Sequence, residues 1–468
     1  MKALTDVRPT SEQLPIISNP QNGVTLIRGA AGSGKTTTAL LMLKQLSEFW
    51  IRYRERNNDN NPVKILILTY NRTLRGYIAH LAKKQIDRQD KVDLSVTTFG
   101  KWAVDLIGNT TVIENAVEQS LIAKYGEKLF EGNKAFLYDE VDYCLGRFMP
   151  DNLNDYLTTK REGRGIAPRM ERALREQLLN DVIIPYNEYK RKKRLQDWND
   201  LALKLIASPR EIKYDIIVVD ETQDLSAHQM RAVMKHIATP STIVFVLDAA
   251  QRIYPRGWNW REVGIPINPN RSFHLKANHR NTIQICRLAK PILEGMDLGD
   301  DGTMPDLDSC HRNGPIPKLL KGKYSSQVSY AISQIKNRID LRKESVAFAH
   351  PKAGKWFDYL RETLSANGLD HIDLTRRLDW PSGDENIALI SMHSAKGLEF
   401  DHIFILGLNE EITPHGSEEG DSNWENLRRL LAMTITRARQ TVTLGCKPHE
   451  ASSLFDCLQP DTYKEVSV

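Results

Sequence analysis

The sequence predicts an α/β fold in which parallel strands alternate with helices. Short apolar runs at residues 65–68, 215–219 and 242–247 have the composition of strands buried on both faces, as in parallel sheets. Another run at 24–27 leads through a glycine-rich loop into residues 37–46, where apolar side chains recur at helical spacing. Each run ends in a polar cluster, so functional groups are expected at the carboxyl ends of the strands.

The glycine-rich loop fills every fixed position of the pattern G-x-x-x-x-G-K-[ST]. It comprises Gly29, Ala30, Ala31, Gly32, Ser33, Gly34, Lys35 and Thr36. Glycines let the backbone wrap closely around phosphates, and the N–H groups of the loop and of the following helix point at their charge. Lys35 is predicted to reach the outer phosphates of a nucleotide, and Thr36 to hold Mg²⁺. The alternative is a strand–helix turn without a ligand.

A second acidic motif follows the apolar run at 215–219. Asp220 and Glu221 stand at the end of this predicted buried strand, where a surface acidic cluster would be unexpected. Asp220 is predicted to hold Mg²⁺ through water, and Glu221 to polarise an attacking water as general base. The pair favours nucleotide hydrolysis over transfer of a phosphoryl group to a small molecule.

Composition places the chain among ordinary globular proteins. Its 468 residues suffice for two or three domains, and 41% hydrophobic and 26% charged residues are typical of soluble proteins. We find no apolar run of membrane-spanning length and no signal peptide in residues 1–15, so a cytoplasmic protein is expected. The five cysteines form no CxxC pair, which argues against a zinc or iron–sulfur site. A net charge of +5 permits a polyanionic partner without requiring one.

Between about residues 107 and 205 the pattern turns helical and strongly charged, which predicts an insertion between two α/β stretches. Two basic runs lie in this block, at residues 160–164 and 190–194. Such runs usually solvate a helix face, and the alternative is contact with nucleic-acid phosphates.

Later motifs follow one another in a characteristic order. They read VDETQD at 219–224, DAAQRIY at 248–254, NHR at 278–280, HSAKGLEF at 393–400 and TITRAR at 434–439. Together they resemble the motifs of superfamily 1 helicases of the UvrD/PcrA/Rep group, over nearly the whole chain from Gln13 to Arg439. A small-molecule P-loop kinase would leave these motifs unexplained.

The resemblance implies two RecA-like P-loop domains with parallel sheets flanked by helices, and ATP bound between them. On that template the first domain covers residues 1–105 and 205–277, the helical insertion 106–204, and the second domain 278–468. Closure of the cleft on ATP and its reopening after hydrolysis would drive movement along DNA.

The resemblance also assigns residues to the nucleotide. Arg280 and Arg437 correspond to arginine fingers, which suit the charge that develops on a γ-phosphate. Gln251 is expected at the γ-phosphate, and Lys35 and Glu221 complete the catalytic set. The remaining contacts to adenine and ribose are assigned to Gln13, Thr37, His279, Gly397 and Glu399. The family usually has Tyr where His279 stands and Arg where Thr37 stands, so these two departures bear on base recognition.

Single-stranded DNA is expected to cross both domains, held by phosphate contacts and aromatic stacking. The candidate stacking residues are Tyr70, Phe99, Tyr254, Trp258 and His393, together with Trp260 from the same segment as Trp258.

The chain is short for this group. Relatives insert a large duplex-gripping domain ahead of the HSAKGLEF motif, and the spacing between Arg280 and His393 leaves no room for it. The leading expectation is an ATP- and Mg²⁺-dependent 3′-to-5′ single-strand DNA translocase or helicase. The alternatives are a DNA- or nucleotide-sensing ATPase subunit that activates a partner such as a nuclease in a prokaryotic defence system, and a motor directed to RNA.

Overall fold

The computed structural model of the chain describes residues 9–29, 32–69, 72–130, 133–160, 169–209, 211–247, 258–296, 310–374, 383, 385–413 and 422–468. Two parallel sheets dominate it, one of six strands and one of seven, and helices flank both. The prediction of an α/β fold with two parallel sheets is confirmed.

The first sheet carries the strands that were predicted from apolar runs. Its strands are β1 (Gly23–Gly29), β2 (Val63–Thr69), β3 (Val92–Thr98), β4 (Tyr214–Val219), β5 (Ile237–Leu247) and β6 (Ser272–Leu275). They are ordered β3-β2-β4-β5-β1-β6, and every pair is parallel. All six residues of β4 are buried, as expected for a central strand that helices cover on both faces.

Helices of the first half pack on this sheet and extend into the charged block. They are α1 (Leu14–Ile17), α2 (Lys35–Arg56), α3 (Arg72–Gln85), α4 (Phe99–Ile107), α5 (Asn115–Tyr125), α6 (Lys134–Arg147), α7 (Arg172–Gln177), α8 (Ile184–Lys193), α9 (Trp198–Ala207) and α10 (Ala227–Met234). A π-helical turn, Leu178–Ile183, joins α7 to α8. Helices α5 to α8 share a hydrophobic cluster of their own, whereas α4 and α9 pack in the cluster on one face of the first sheet.

The second sheet is built after a short crossing between the two halves. Its strands are β9 (Lys318–Lys321), β10 (Val346–His350), β11 (Ile372–Asp373), β12 (Ile387–Ser391), β13 (Phe400–Ile405), β14 (Ala438–Cys446) and β15 (Lys464–Ser467), in the order β11-β12-β10-β13-β14-β9-β15. The helices that accompany them are α11 (Ile283–Leu293), α12 (Tyr324–Arg338), α13 (Asp358–Ala366) and α14 (Ser422–Ile435).

The crossing itself is very short. Strand β6 ends at Leu275, and a separate strand, β7 (Asn278–Thr282), begins after only Lys276 and Ala277. Strand β7 pairs with β8 (Cys310–Arg312). One hydrophobic cluster includes residues from both large sheets, and separate clusters cover their other faces. The domain boundaries inferred from the sequence stay a prediction.

None of the helices in the described part of the chain is long and apolar enough to cross a bilayer.

Candidate active site

The glycine-rich loop lies between β1 and α2, at the carboxyl end of a central strand. Gly32 and Gly34 have φ values of 83° and 80°, in the left-handed region that favours glycine. Gly34 is also the N-cap of α2, so the first N–H groups of that helix face the loop. The Ser33 hydroxyl is buried without a hydrogen-bond partner among the described residues. A buried loop with an unsatisfied donor suits an anionic ligand.

Thr36 and Asp220, which were both predicted to hold Mg²⁺, lie in contact with each other. The Thr36 Oγ1 hydroxyl donates to the Asp220 carboxylate, at 3.0 Å from Oδ1 and 3.2 Å from Oδ2. Burial and the neighbouring charge of Glu221 raise the pKa of Asp220 to about 7, although the Thr36 hydrogen bond opposes the shift. A cation at this position would favour the ionised carboxylate.

Glu221 lies beside Asp220 in a constrained backbone. Its φ of 52° is left-handed, and its side chain accepts a hydrogen bond of 2.6 Å from Gln223 Nε2. Burial alone would raise the pKa of Glu221, but the charges of Lys396, Arg437 and Lys35 outweigh it and lower that pKa. Glu221 is therefore ionised at neutral pH, and one site contains all three cations.

Lys396 was not predicted to belong to this site. It comes from the HSAKGLEF segment between β12 and β13, is fully buried, and has its Nζ ion-paired with Asp224 and 3.6 Å from Glu221 Oε2. The sequence signal was present, because this lysine stands inside a recognised motif. Its role was missed because nothing in the sequence shows which carboxylate it faces.

The two predicted arginine fingers both lie in the second half of the chain. Arg280 on β7 donates through Nη2 to Glu399, and its Nε and Nη1 are buried with no partner among the described residues. Arg437, between α14 and β14, is 4% exposed and lowers the pKa of Glu221 by its charge. Glu399, predicted at the ribose, is thus engaged by Arg280 in this conformation.

The residues predicted to contact the base and sugar are only partly brought together. Gln13 is 3% exposed, and its Nε2 donates to Gly34 O at 3.3 Å while its Oε1 accepts from Thr10 N. It therefore lies against the phosphate loop. Thr37 follows in the first turn of α2, and Gly397 has a left-handed φ of 80°. Ala30, Ala31, Gln251 and the His279 side chain lie outside the described residues.

The predicted DNA-stacking residues differ in exposure. His393 is exposed at the surface, next to the segment that carries Lys396. Trp258 is half-buried, donates to Leu225 O at 2.7 Å and packs edge-on against Trp260. Phe99 is only 4% exposed and packs on Trp102, so its ring has no open face for a base in this conformation. Tyr70 and Tyr254 lie outside the described residues.

The second basic run contains one buried lysine, and the three residues that follow it are exposed. Lys190 is 4% exposed and forms ion pairs with Asp197 and with Asp200, the latter at 2.7 Å. Arg191, Lys192 and Lys193 are exposed. Lys190 therefore holds α8 to the N-terminus of α9, and only its neighbours are available to phosphates. The first run lies mostly outside the described residues.

The site fits a Mg²⁺–nucleotide complex. Among the described residues, no cluster of three or more His, Cys, Asp or Glu side chains could hold a metal by itself. Mg²⁺ is commonly held by one or two protein oxygens together with substrate phosphates and water. Thr36 and Asp220 supply such oxygens beside the loop.

Two protein families match the chain. Residues 10–265 match the UvrD/REP helicase N-terminal domain, and residues 323–447 match the UvrD-like helicase C-terminal domain. The two matches take in the phosphate loop, the Asp220–Glu221 pair, Lys396 and Arg437.

Individual relatives are more distant. A probable DNA helicase from Mycoplasma pneumoniae is 24% identical, over 90% of this chain and 80% of that protein. The ATP-dependent DNA helicase PcrA of Staphylococcus aureus strain MRSA252 is 36% identical over 86 residues, which are 18% of this chain and 12% of PcrA. The crystal structure of the C-terminal domain of a possible DNA helicase from Lactobacillus plantarum WCFS1 aligns with a TM-score of 0.30 and 21% identity, over 40% of this chain and 99% of that one.

Proposed function

Because this chain belongs to the UvrD/REP helicase family, which residues 10–265 match, we propose that it is a Mg²⁺- and ATP-dependent motor that moves 3′ to 5′ on single-stranded DNA. The polarity rests on the family resemblance alone. We also propose that it acts in the cytoplasm, where ATP and DNA are both present.

One observation carries the ATP hydrolysis step. The carboxylate of Glu221 is buried among Lys35 from the phosphate loop and Lys396 and Arg437 from the second half of the chain. Three cations around one acidic residue match a site that must neutralise both a carboxylate and the charge on a transferred phosphoryl group. Because these cations come from both halves, hydrolysis is coupled to how the halves lie against each other.

Each residue has a role in this proposal. Lys35 and the loop N–H groups bind the phosphates, and Thr36 and Asp220 hold Mg²⁺, which supplies charge neutralisation on the phosphate oxygens when bound. Glu221 orients water and accepts its proton. Arg280 has two nitrogens that find no partner within the described part of the chain, and Arg437 is one of the cations around Glu221, so both suit the γ-phosphate.

We propose fewer DNA-contacting residues than the sequence suggested. His393 is exposed and lies three residues before Lys396, which contacts Glu221. A DNA strand bound at His393 would therefore be linked through this segment to the ATP site. Trp258 offers a partly exposed indole. Phe99 is omitted from the proposed track because its ring is buried.

The proposal is tested by ATP turnover with and without a single-stranded DNA oligonucleotide, compared with a matched RNA oligonucleotide. We expect strong stimulation by DNA that weakens steeply as salt rises, because phosphate contacts release counterions. Stimulation of ATP turnover by RNA that equals or exceeds that by DNA would contradict a motor specific for DNA and favour the RNA-directed alternative. Absence of stimulation by either polymer would reject the proposal.

A second candidate function is a sensor ATPase that activates a partner effector, such as a nuclease in a prokaryotic defence system. It is favoured by the content of the region between Ile283 and Ser391, whose described strands and α-helices are β8, strands β9 to β12 of the second sheet, and helices α11 to α13. No additional module occurs in the described part of that region, so a duplex-gripping surface would have to come from elsewhere.

A strand-displacement assay separates the two candidates. The isolated chain would be given a duplex with a 3′ single-stranded tail, and a duplex with a 5′ tail would serve as the polarity control. Unwinding of the 3′-tailed duplex alone supports the helicase. DNA-stimulated ATP turnover without unwinding of either duplex supports the sensor.

A further inference from the structure

Two buried asparagines flank Arg280 on strand β7. Asn278 and Asn281 are 3% and 0% exposed. The Asn278 Oδ1 accepts hydrogen bonds from the backbone N–H groups of Arg280 and Asn281, each at 3.0 Å, and its Nδ2 donates to Asn281 Oδ1 at 2.9 Å. The backbone that carries Arg280 is therefore tied to both side chains.

Asn281 also reaches the other proposed finger. Its Nδ2 donates to Thr436 O at 2.9 Å and to Ala438 O at 2.6 Å, the two carbonyl groups that flank Arg437. Carbonyl oxygens only accept, so the amide must present its NH₂ group to them, and both of its hydrogens are used. One side chain thus fixes the backbone on either side of Arg437.

The same pair lies against the phosphate loop. A Cβ on Gly32 would lie 2.4 Å from Asn278 Oδ1 and 2.8 Å from Asn281 Oδ1, closer than real side chains approach. The loop and the asparagine pair are therefore in direct contact. Strand β7 is held at a set distance from the residues that would bind the phosphates.

We propose that Asn281 is a positioning residue that holds Arg280 and Arg437 in one rigid arrangement against the phosphate loop. The proposal rests on the proposed ATP hydrolysis. Asn281 touches no phosphate itself and acts through the two arginines. An error of about 1 Å in a catalytic group can cost about a hundredfold in rate, so a buried amide that sets two such groups has a large effect.

The tests are Asn281→Asp and Asn281→Ala in the full chain. The aspartate has the same shape but turns a second oxygen toward the carbonyls of Thr436 and Ala438, and the alanine removes the hydrogen bonds. For both we expect DNA-stimulated kcat to fall about tenfold to a hundredfold while KM for ATP stays within about twofold. In an Arg437→Ala background, the Asn281 substitution should cause a smaller loss than in wild type, because only its effect through Arg280 remains.

Asn409→Ala is the matched control. Asn409 is also buried, at 2% exposed, and its Oδ1 accepts a hydrogen bond from Lys447 N. Lys447 follows the last residue of β14, whereas Ala438, which Asn281 contacts, is the first residue of that strand. It should lower the thermal midpoint with little change in kcat. Equal loss of kcat in Asn409→Ala, or full additivity with Arg437→Ala, would overturn the positioning role.

A binding measurement separates this inference from the proposed function. The ratio of ATP to ADP affinity, measured with fluorescent analogues, reports contact of the arginines with the γ-phosphate without turnover. We expect the preference for ATP to fall about tenfold in both Asn281 variants. Wild-type protein that prefers ATP but hydrolyses none would reject the proposed function and still test Asn281 by this ratio. An unchanged ratio in the variants would overturn the inference.

Discussion

Lys396 Nζ lies 3.6 Å from the carboxylate of Glu221, although Glu221 follows a strand of the first sheet and Lys396 lies between two strands of the second. The same ammonium group is paired with Asp224, so one lysine lies against two acidic residues of the motif that follows β4. All three side chains are buried, where an uncompensated charge is costly. The ionised state of the proposed general base therefore depends on a residue from the opposite half of the chain.

Lys396→Met is expected to weaken both folding and turnover. Loss of one partner of a buried ion pair typically costs about 3–5 kcal/mol of the free energy of unfolding. Lys396 is the main charge that lowers the pKa of Glu221, so its removal should move the acidic limb of the kcat profile to higher pH. Denaturant unfolding and ATP turnover across a pH series measure the two effects.

The control for this variant is the double substitution Lys396→Met with Asp224→Asn. It removes one of the orphaned charges, so it should recover part of the lost stability while the pH shift in turnover remains. A pH profile identical to wild type in Lys396→Met would contradict the link between Lys396 and Glu221.

Asp220 should make the metal-free protein less stable as the pH rises. Its folded pKa of about 7 lies above the ordinary value of 3.8, so the folded state binds the proton more tightly than the unfolded chain. The contribution of the Asp220 proton to the free energy of unfolding is therefore complete below pH 3.8 and is lost as the pH rises through about 7. Thermal unfolding in a metal chelator measures it, and Asp220→Asn should remove this dependence.

Mg²⁺ binding has the opposite pH dependence at the same carboxyl group. The metal requires the ionised carboxylate, so its affinity in the presence of a non-hydrolysable ATP analogue should fall about tenfold per pH unit below the pKa of Asp220. Titration calorimetry at several pH values would show this. Affinity that is flat through neutral pH would argue against Asp220 as a ligand.

Glu221→Gln and Lys35→Ala should separate chemistry from binding. Glu221→Gln keeps the side-chain shape and removes the proton acceptor, so we expect turnover to fall by about a hundredfold or more with ATP still bound. Lys35→Ala removes a phosphate contact, so ATP affinity and turnover should both fall. Undiminished DNA-stimulated turnover in either variant would reject the assigned site.

Arg437→Ala and Arg439→Ala form a matched pair two residues apart. Arg437 is buried near Glu221, whereas Arg439 is 33% exposed and lies 3.8 Å from Asp401. We expect Arg437→Ala to lower kcat by about a thousandfold, as loss of an arginine finger does, and Arg439→Ala to leave it nearly unchanged. An equal fall of kcat in the two variants would show that kcat depends on the positive charge of this segment and not on the position of Arg437.

The basic run at the end of α8 yields a contrast between neighbours. Lys190→Ala leaves Asp197 and Asp200 without their cation, so a loss of about 3–5 kcal/mol of the free energy of unfolding is expected. Lys192→Ala with Lys193→Ala should leave stability within about 0.5 kcal/mol. If these two exposed lysines bind DNA phosphates, the double variant should also reduce the salt dependence of single-strand binding by about 0.7 per contact.

Much of the fold was predictable because strand burial and loop chemistry are local. The apolar run before Asp220 and the glycine pattern at Gly32 and Gly34 each specify their own backbone, and the structure forms a buried strand and a left-handed turn there. Phe99 and Lys190 show the limit. The sequence suggested that Phe99 stacks on DNA and that Lys190 belongs to an exposed basic run. Both are buried, and their burial depends on tertiary packing that the local sequence does not show.

Contacts between distant segments were not predictable where no shared ligand was expected to join them. The contact of Lys396 with Asp224 spans 172 positions, and Asn281 reaches Thr436 across 155. A motif indicates that such a residue matters, but its partner depends on how the two sheets face each other. The paired carbonyls around Arg437 are backbone atoms, which leave no trace in side-chain patterns.

Only Lys276 and Ala277 link β6 to β7, so a rotation between the two sheets in the proposed motor would pivot close to the proposed ATP site. Arg280 is only a few residues from that link, so its lever arm would be short, whereas β11 is the outermost strand at one edge of the second sheet. A rotation that shifts the guanidinium by a fraction of an ångström would sweep the far rim of the second sheet over a much larger arc. In the proposed motor, a short link at the ATP site would therefore convert the loss of one phosphate into a larger displacement at the edge of the second sheet, where a nucleic-acid strand could be moved.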